Sequence, residues 1–215
     1  MWGPTVTLGN YKLYFADPQT WQVGFFGTIE EHGHPVILGV RLKIEGGKTI
    51  SEMEVIALRK TSGVFSEPQN LVDKPIFHQA LTPPRTPPAR GVDPRGEHVF
   101  RRDGSGHRQN TPFDKDCRRI ENGVITSNDP TSKSEITRMN CGAQFATGFT
   151  KVITRVEERR FPVVDEHKVN PPFDQPYSFF IARLFKVSDG KIKRIEALVT
   201  PVQYGMYTGW PAKNN

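Results

Sequence analysis

Arg183 is the residue whose place in this sequence most demands a chemical explanation. Ile181, Arg183, Phe185 and Val187 alternate along a strand-like run and would share one apolar face. A guanidinium therefore stands where a core residue is expected. A buried guanidinium needs an anionic partner, so the position implies either an internal ion pair or a ligand pocket. Asp165, Glu166 and Glu196 are the candidate carboxylates.

Other reactive side chains point to less. His32 and His34 sit in the turn-forming stretch Glu30–Pro35, and a hairpin tip seldom converges on further metal ligands, so a solvated turn is expected. Cys117 and Cys141 are too few for a zinc site and do not form a C-x-x-C pair. They either close a disulfide loop of about 25 residues, worth roughly 3 kcal/mol by chain entropy, or remain as two half-buried thiols in a reducing compartment. There is no G-x-S-x-G, no Walker loop, no G-x-G-x-x-G opening a helix and no H-E-x-x-H. No cofactor is implied, and any enzymatic reading is cofactor-free.

The elements that must position Arg183 include an internal repeat. Val36–Lys48 lies without a gap on Phe179–Lys191, an offset of 143, with Lys43, Gly47 and Lys48 recurring as Lys186, Gly190 and Lys191. After one extra residue, Thr49, Ile50–Ile56 matches Ile192–Leu198 and pairs Glu54 with Glu196. Each stretch predicts a strand, a tight glycine turn and a second strand. They are either copies of one unit or two ordinary hairpins. In the first, Leu38, Val40, Leu42 and Ile44 are expected to face the core, with Gly39, Arg41 and Lys43 on the other side; Arg183 then takes the place of Val40. Residues 5 to 30 also read as strands.

Between the hairpins a helix is predicted. Ser132 with Glu135 has the spacing of a capping box. Phe145, Phe149, Val152, Ile153 and Val156 follow a helical period, ending before Pro162. Gly142 and Gly148 suggest that this helix packs closely on a sheet. The Pro-rich stretch Thr82–Gly91 can form neither helix nor central strand and reads as a connector. The expected organisation is a β-rich half over 1–81, a connector over 82–112 and an α+β half over 113–215.

Composition bounds the function. The formal charge of +6 admits acidic partners, but much of the excess lies in Arg85, Arg90, Arg95, Arg101, Arg102 and Arg108, within a loop poor in aromatic residues. A solvated linker is expected there, not a nucleic-acid surface. No apolar run approaches the ~20 residues of a membrane-spanning helix. The start Met1-Trp2-Gly3-Pro4 lacks a basic and then apolar leader, so the default compartment is the cytoplasm, or the exterior if a leader was removed.

Trp21-Gln-Val-Gly-Phe-Phe-Gly, Arg41-Leu-Lys-Ile-Glu-Gly-Gly-Lys, Cys117-Arg-Arg-Ile-Glu-Asn-Gly, Arg159-Arg-Phe-Pro-Val-Val-Asp and Tyr204-Gly-Met-Tyr-Thr-Gly-Trp210 resemble an uncharacterised group of mainly fungal proteins. That group is similar to the SnoaL-like, nuclear-transport-factor-2-like cone fold of ketosteroid isomerase and polyketide cyclases. The resemblance implies an α+β cone, with a helix in the curve of a bent antiparallel sheet. It also implies acid/base chemistry on a small apolar carbonyl compound, possible roles in secondary metabolism included. In such a pocket Asp165 would be the general base, Arg160 or Arg183 would stabilise an enolate-like oxygen, and Tyr204 would donate a proton. His78 or His107 would serve if the connector folded over the opening. Unlike such cones, this chain begins directly at a strand, which favours a homodimer through an exposed sheet. The expectation is therefore a lyase, isomerase or cyclase, with a non-catalytic small-molecule-binding or dimerisation module as the alternative.

Overall fold

The computed structural model describes residues 6–18, 20–60, 65–78, 112–147, 153–157, 164–169, 177–203 and 206. The first four strands, β1 (Val6–Asp17), β2 (Gln22–Glu31), β3 (His34–Glu45) and β4 (Thr49–Leu58), form an antiparallel meander in chain order. Strands β5 (Phe113–Glu121), β6 (Val124–Ile125), β7 (Ile153–Glu157), β8 (Val164–Val169), β9 (Tyr177–Ser188) and β10 (Lys191–Val202) form a second sheet of order β6-β5-β10-β9-β8-β7. In it β5 and β10 run parallel, and the other neighbours run antiparallel. The turns His32-Gly33, Asn122-Gly123 and Asp189-Gly190 each hold two successive residues at positive φ. That is the geometry a two-residue hairpin loop needs to match the strand twist, and it explains the glycine at each second position.

The two sheets pack face to face. Tyr11, Leu13, Phe26, Ile37, Ile56 and Leu58 of the first sheet share one core with Leu71, Ile120, Ala182 and Leu198. Gly39 faces the second sheet, where a Cβ would make ordinary van der Waals contact with Ala182 Cβ at 3.6 Å and Leu198 Cδ1 at 3.8 Å. On the far side of the second sheet, Cys117, Cys141, Ile192 and Ile195 form another core with Phe113, Phe145, Phe185 and Val187. There α3 (Cys141–Ala146) lies against β5. Cys117 and Cys141 are joined in a disulfide with their Cα atoms 5.7 Å apart.

The helical expectation is corrected. Besides α3, the α-helices among the described residues are α1 (Pro75–His78) and α2 (Glu135–Arg138), and the architecture is two packed β-sheets in place of an α+β SnoaL-like cone. Ile153 and Val156, expected on a helix, belong to β7 and pair with Val169 and His167 of β8. β-branched residues at 152, 153, 154 and 156 favour the extended state, and pairing with β8 supplies what a helix would have gained by burying one face. Nor does Ser132 cap a helix; its hydroxyl accepts from Ser134 N at 3.2 Å, while Asn140 caps α3 by accepting from Ala143 N at 2.9 Å.

Both repeated stretches do form hairpins, with matching registers. Arg41 stands opposite Glu54 in β3–β4, and the corresponding Leu184 stands opposite Glu196 in β9–β10. Val40 opposite Val55 likewise corresponds to Arg183 opposite Ala197. The expected facing of β3 is reversed, however. Gly39 and Arg41 turn inward, whereas Val40 and Leu42 lie on the outer face and are only partly covered. Arg41, 3 % exposed, is tolerated inside because Glu54 Oε2 accepts from its Nε at 2.7 Å, Glu52 Oε2 from its Nη2 at 2.6 Å and Gln22 Oε1 from its Nη1 at 2.8 Å. Burial pulls the Arg41 guanidinium down, and the hydrogen bonds to Glu54 and Glu52 more than offset it.

Candidate functional site

The Val40 position that Arg183 replaces is not a core position in β3, but Arg183 itself is in phase on β9 with Ile181, Phe185 and Val187, the face that meets the core around the disulfide, as the alternation predicts. Arg183 stands opposite Ala197, one step out of phase with the inward-facing Ala182, Leu184 and Glu196. Asp165 stands opposite Ile181, two residues from Arg183 along β9, and Glu166 stands opposite Phe180. Arg160, Tyr204 and His107 lie outside the described residues, as does the expected connector apart from Pro112. His78, in α1, is exposed and meets Asp73 at 2.6 Å.

Glu196 has partners other than Arg183. It is fully buried, 0 % exposed, and accepts at Oε2 from the hydroxyl of Tyr11, itself 1 % exposed. Lys74 Nζ reaches Glu196 Oε1 at 2.5 Å and lies 5.1 Å from the centre of the Tyr11 ring. Burial, then the neighbouring Glu196 carboxylate, pushes the Tyr11 phenol far above its ordinary range. Such a phenol is held protonated as a donor, and the three side chains tie β1, β10 and the segment before α1 together across the sheet interface.

Among the described residues, a space that can hold a ligand lies on the opposite side of the first sheet. Register puts Tyr14, Phe25 and Val40 in one cross-strand row and Ala16, Val23 and Leu42 in the next. These side chains, over the backbone of Phe15 and Gly24, line a groove of about 480 Å³. The Tyr14 and Phe25 rings meet at 5.3 Å and 52° and form its aromatic wall. Gly24 keeps its place in the floor because a Cβ there would stand 2.0 Å from the Phe15 ring packed beneath. The Tyr14 phenol is the one ionisable side chain among the lining residues, so the groove is shaped for apolar contact and not for proton transfer. Among the described residues no group of His, Cys, Asp and Glu is placed to hold a metal ion.

Residues 101–199 match the model of a family described as a domain of unknown function, DUF8021. The match spans the second sheet up to Val199, with the disulfide and the Glu196 position. The groove is built by residues outside it. No curated protein and no solved structure matches the chain. Sequence reading missed the groove because it assigned Leu38, Val40 and Leu42 to a core. The same alternation admits the opposite facing, in which Ile37, Gly39 and Arg41 turn inward.

Proposed function

We propose that the chain is a non-catalytic binding module that takes a small apolar, aromatic molecule in the groove of the first sheet and works in an oxidising compartment. The groove carries the reading: about 480 Å³ lies within the range of small-molecule sites, and its lining is almost wholly apolar with one aromatic wall. The buried Cys117–Cys141 bond supports the compartment, since such bonds persist where thiols are not kept reduced. An acid/base enzyme is less well supported, because the groove belongs to β1–β3 whereas Asp165 and Arg183 belong to β8 and β9.

Titration with 1-naphthol, followed by ring fluorescence and by calorimetry, tests this. Saturable one-site binding that Val40→Glu and Ala16→Glu each weaken at least tenfold, about 1.4 kcal/mol, is the expected result. Both substitutions are on the outer face, and unchanged circular dichroism would show that the fold survives them. Light scattering over a concentration series distinguishes the other occupant. A dimer that Val40→Glu dissociates, without naphthol binding, would make the groove an interface between two copies and remove the small-molecule reading.

A further inference from the structure

The apolar groove has one polar end. The cross-strand row beside Tyr14, Phe25 and Val40 is Lys12, Gly27 and Leu38, on the same face of the sheet. On β4 that face continues as Met53, Val55 and Ala57. Over these rows and that of Ala16, Val23 and Leu42, Lys12 alone is charged, and only Lys12 and Tyr14 carry a side-chain N–H or O–H. They are neighbours on the outer face of β1, roughly 7 Å apart by strand rise, and both are exposed.

Neither polar tip is engaged. Among the described residues Lys12 makes no ion pair and no hydrogen bond, and Tyr14 meets the Phe25 ring while its hydroxyl has no partner. The carboxylates of this sheet are directed elsewhere. Glu52 and Glu54 turn inward to Arg41, Glu31 is paired with Arg59, and Glu45 lies beside Lys43. Asp17 and Glu30 are on the opposite phase of their strands. Gly27, opposite Lys12, leaves the space above it to the Phe25 ring, since a Cβ there would stand 2.7 Å from Phe25 Cζ. The aromatic wall thus stands beside the one cation of the face.

We propose that the groove takes an aromatic acid carrying one carboxylate, its ring against the Tyr14–Phe25 wall and its carboxylate held between the Tyr14 hydroxyl and the Lys12 ammonium. One ammonium and one hydroxyl match the two oxygens of a single carboxylate, whereas a dianion would bring a charge that nothing on this face meets. The flexible stem of the lysine lets its head cover the row next to its own. This assignment rests on the groove being a small-molecule site. A lysine on an edge strand also discourages pairing with another chain, but that role asks nothing of the Tyr14 hydroxyl.

The test compares 1-naphthylacetate with its neutral isostere 1-naphthylacetamide, each titrated into the whole chain near neutral pH and followed by naphthyl fluorescence and calorimetry. The ratio of the two affinities is the readout. It should fall about fivefold in Lys12→Met, which keeps the apolar stem, and should fall also in Tyr14→Phe, which keeps the ring and loses only the donor. Lys133→Met, at an exposed position in the loop before α2, should keep the wild-type ratio. Concentrated sodium chloride should lower the affinity of the acid and not that of the amide. The same ratio in wild type and both variants, with both probes still bound, would overturn the inference and leave the groove reading in place. A ratio that falls in Lys12→Met but not in Tyr14→Phe would show general attraction of anions and overturn the shared carboxylate contact. Tyr14→Phe carries the comparison if Lys12→Met does not fold. Binding of neither naphthyl compound by the wild type would remove the groove reading and this inference with it.

Discussion

Tyr11 on β1 donates its hydroxyl hydrogen bond to Glu196 on β10, joining the two sheets at a point that water does not reach. Tyr11→Phe should leave a buried carboxylate oxygen without this donor and cost about 1–3 kcal/mol. The pH dependence follows from the raised phenol. In the unfolded chain tyrosine ionises near its ordinary value of about 10, while in the fold it stays protonated. The contribution is thus complete below pH ~10 and declines as pH climbs beyond it. Urea midpoints from pH 8 to 11 should show the gap between wild type and Tyr11→Phe narrowing at the alkaline end, and parallel curves would refute the assignment.

Lys74 and Glu196 should prove strongly coupled. Removing one charge of a buried pair typically costs about 3–5 kcal/mol, whereas replacing both with apolar residues of similar size costs far less. Lys74→Met and Glu196→Leu should each destabilise, and the double variant should lose at least about 1 kcal/mol less than the sum. Additive losses in a double-mutant cycle would mean that the 2.5 Å contact carries no energy of its own.

The disulfide should stabilise the fold by about what its loop entropy predicts and be protected from reductant in the native state. Cys117 and Cys141, 24 apart in sequence, close a loop worth about 3 kcal/mol by chain entropy, and both are wholly buried. Native protein should therefore resist dithiothreitol until it unfolds, whereas the Cys117→Ala, Cys141→Ala variant should melt roughly 5–12 °C lower if it keeps a domain-sized heat of unfolding. Rapid reduction under native conditions would contradict the burial.

Turns and hairpins were legible because they depend on local chemistry. Asn122-Gly123 and Asp189-Gly190 carry the residues that positive φ requires, and both hairpins of the repeat stand where the pattern put them. What misled was period. Phe145 is helical, in α3, but Ile153 and Val156, which continue its helical spacing, take their conformation from strand pairing with β8, and no local signal reports a distant strand. Facing failed for a related reason. Arg41 turns inward because Glu52, Glu54 and Gln22 surround it, which the sequence of β3 alone does not contain. Glu196 stood only as a candidate partner for Arg183, because its actual partners Tyr11 and Lys74 lie far away in the chain.

Gly39 packs toward Ala182, and these are the same position in the two copies of the repeated hairpin. The β3–β4 and β9–β10 hairpins thus meet across the sheet interface, where Ile37, Ile56 and Leu58 of one share a core with Ala182 and Leu198 of the other. Neither hairpin, then, is a unit that could stand alone, because each is the covering layer of the other. Any change in bulk on the inner face of one is felt by the other.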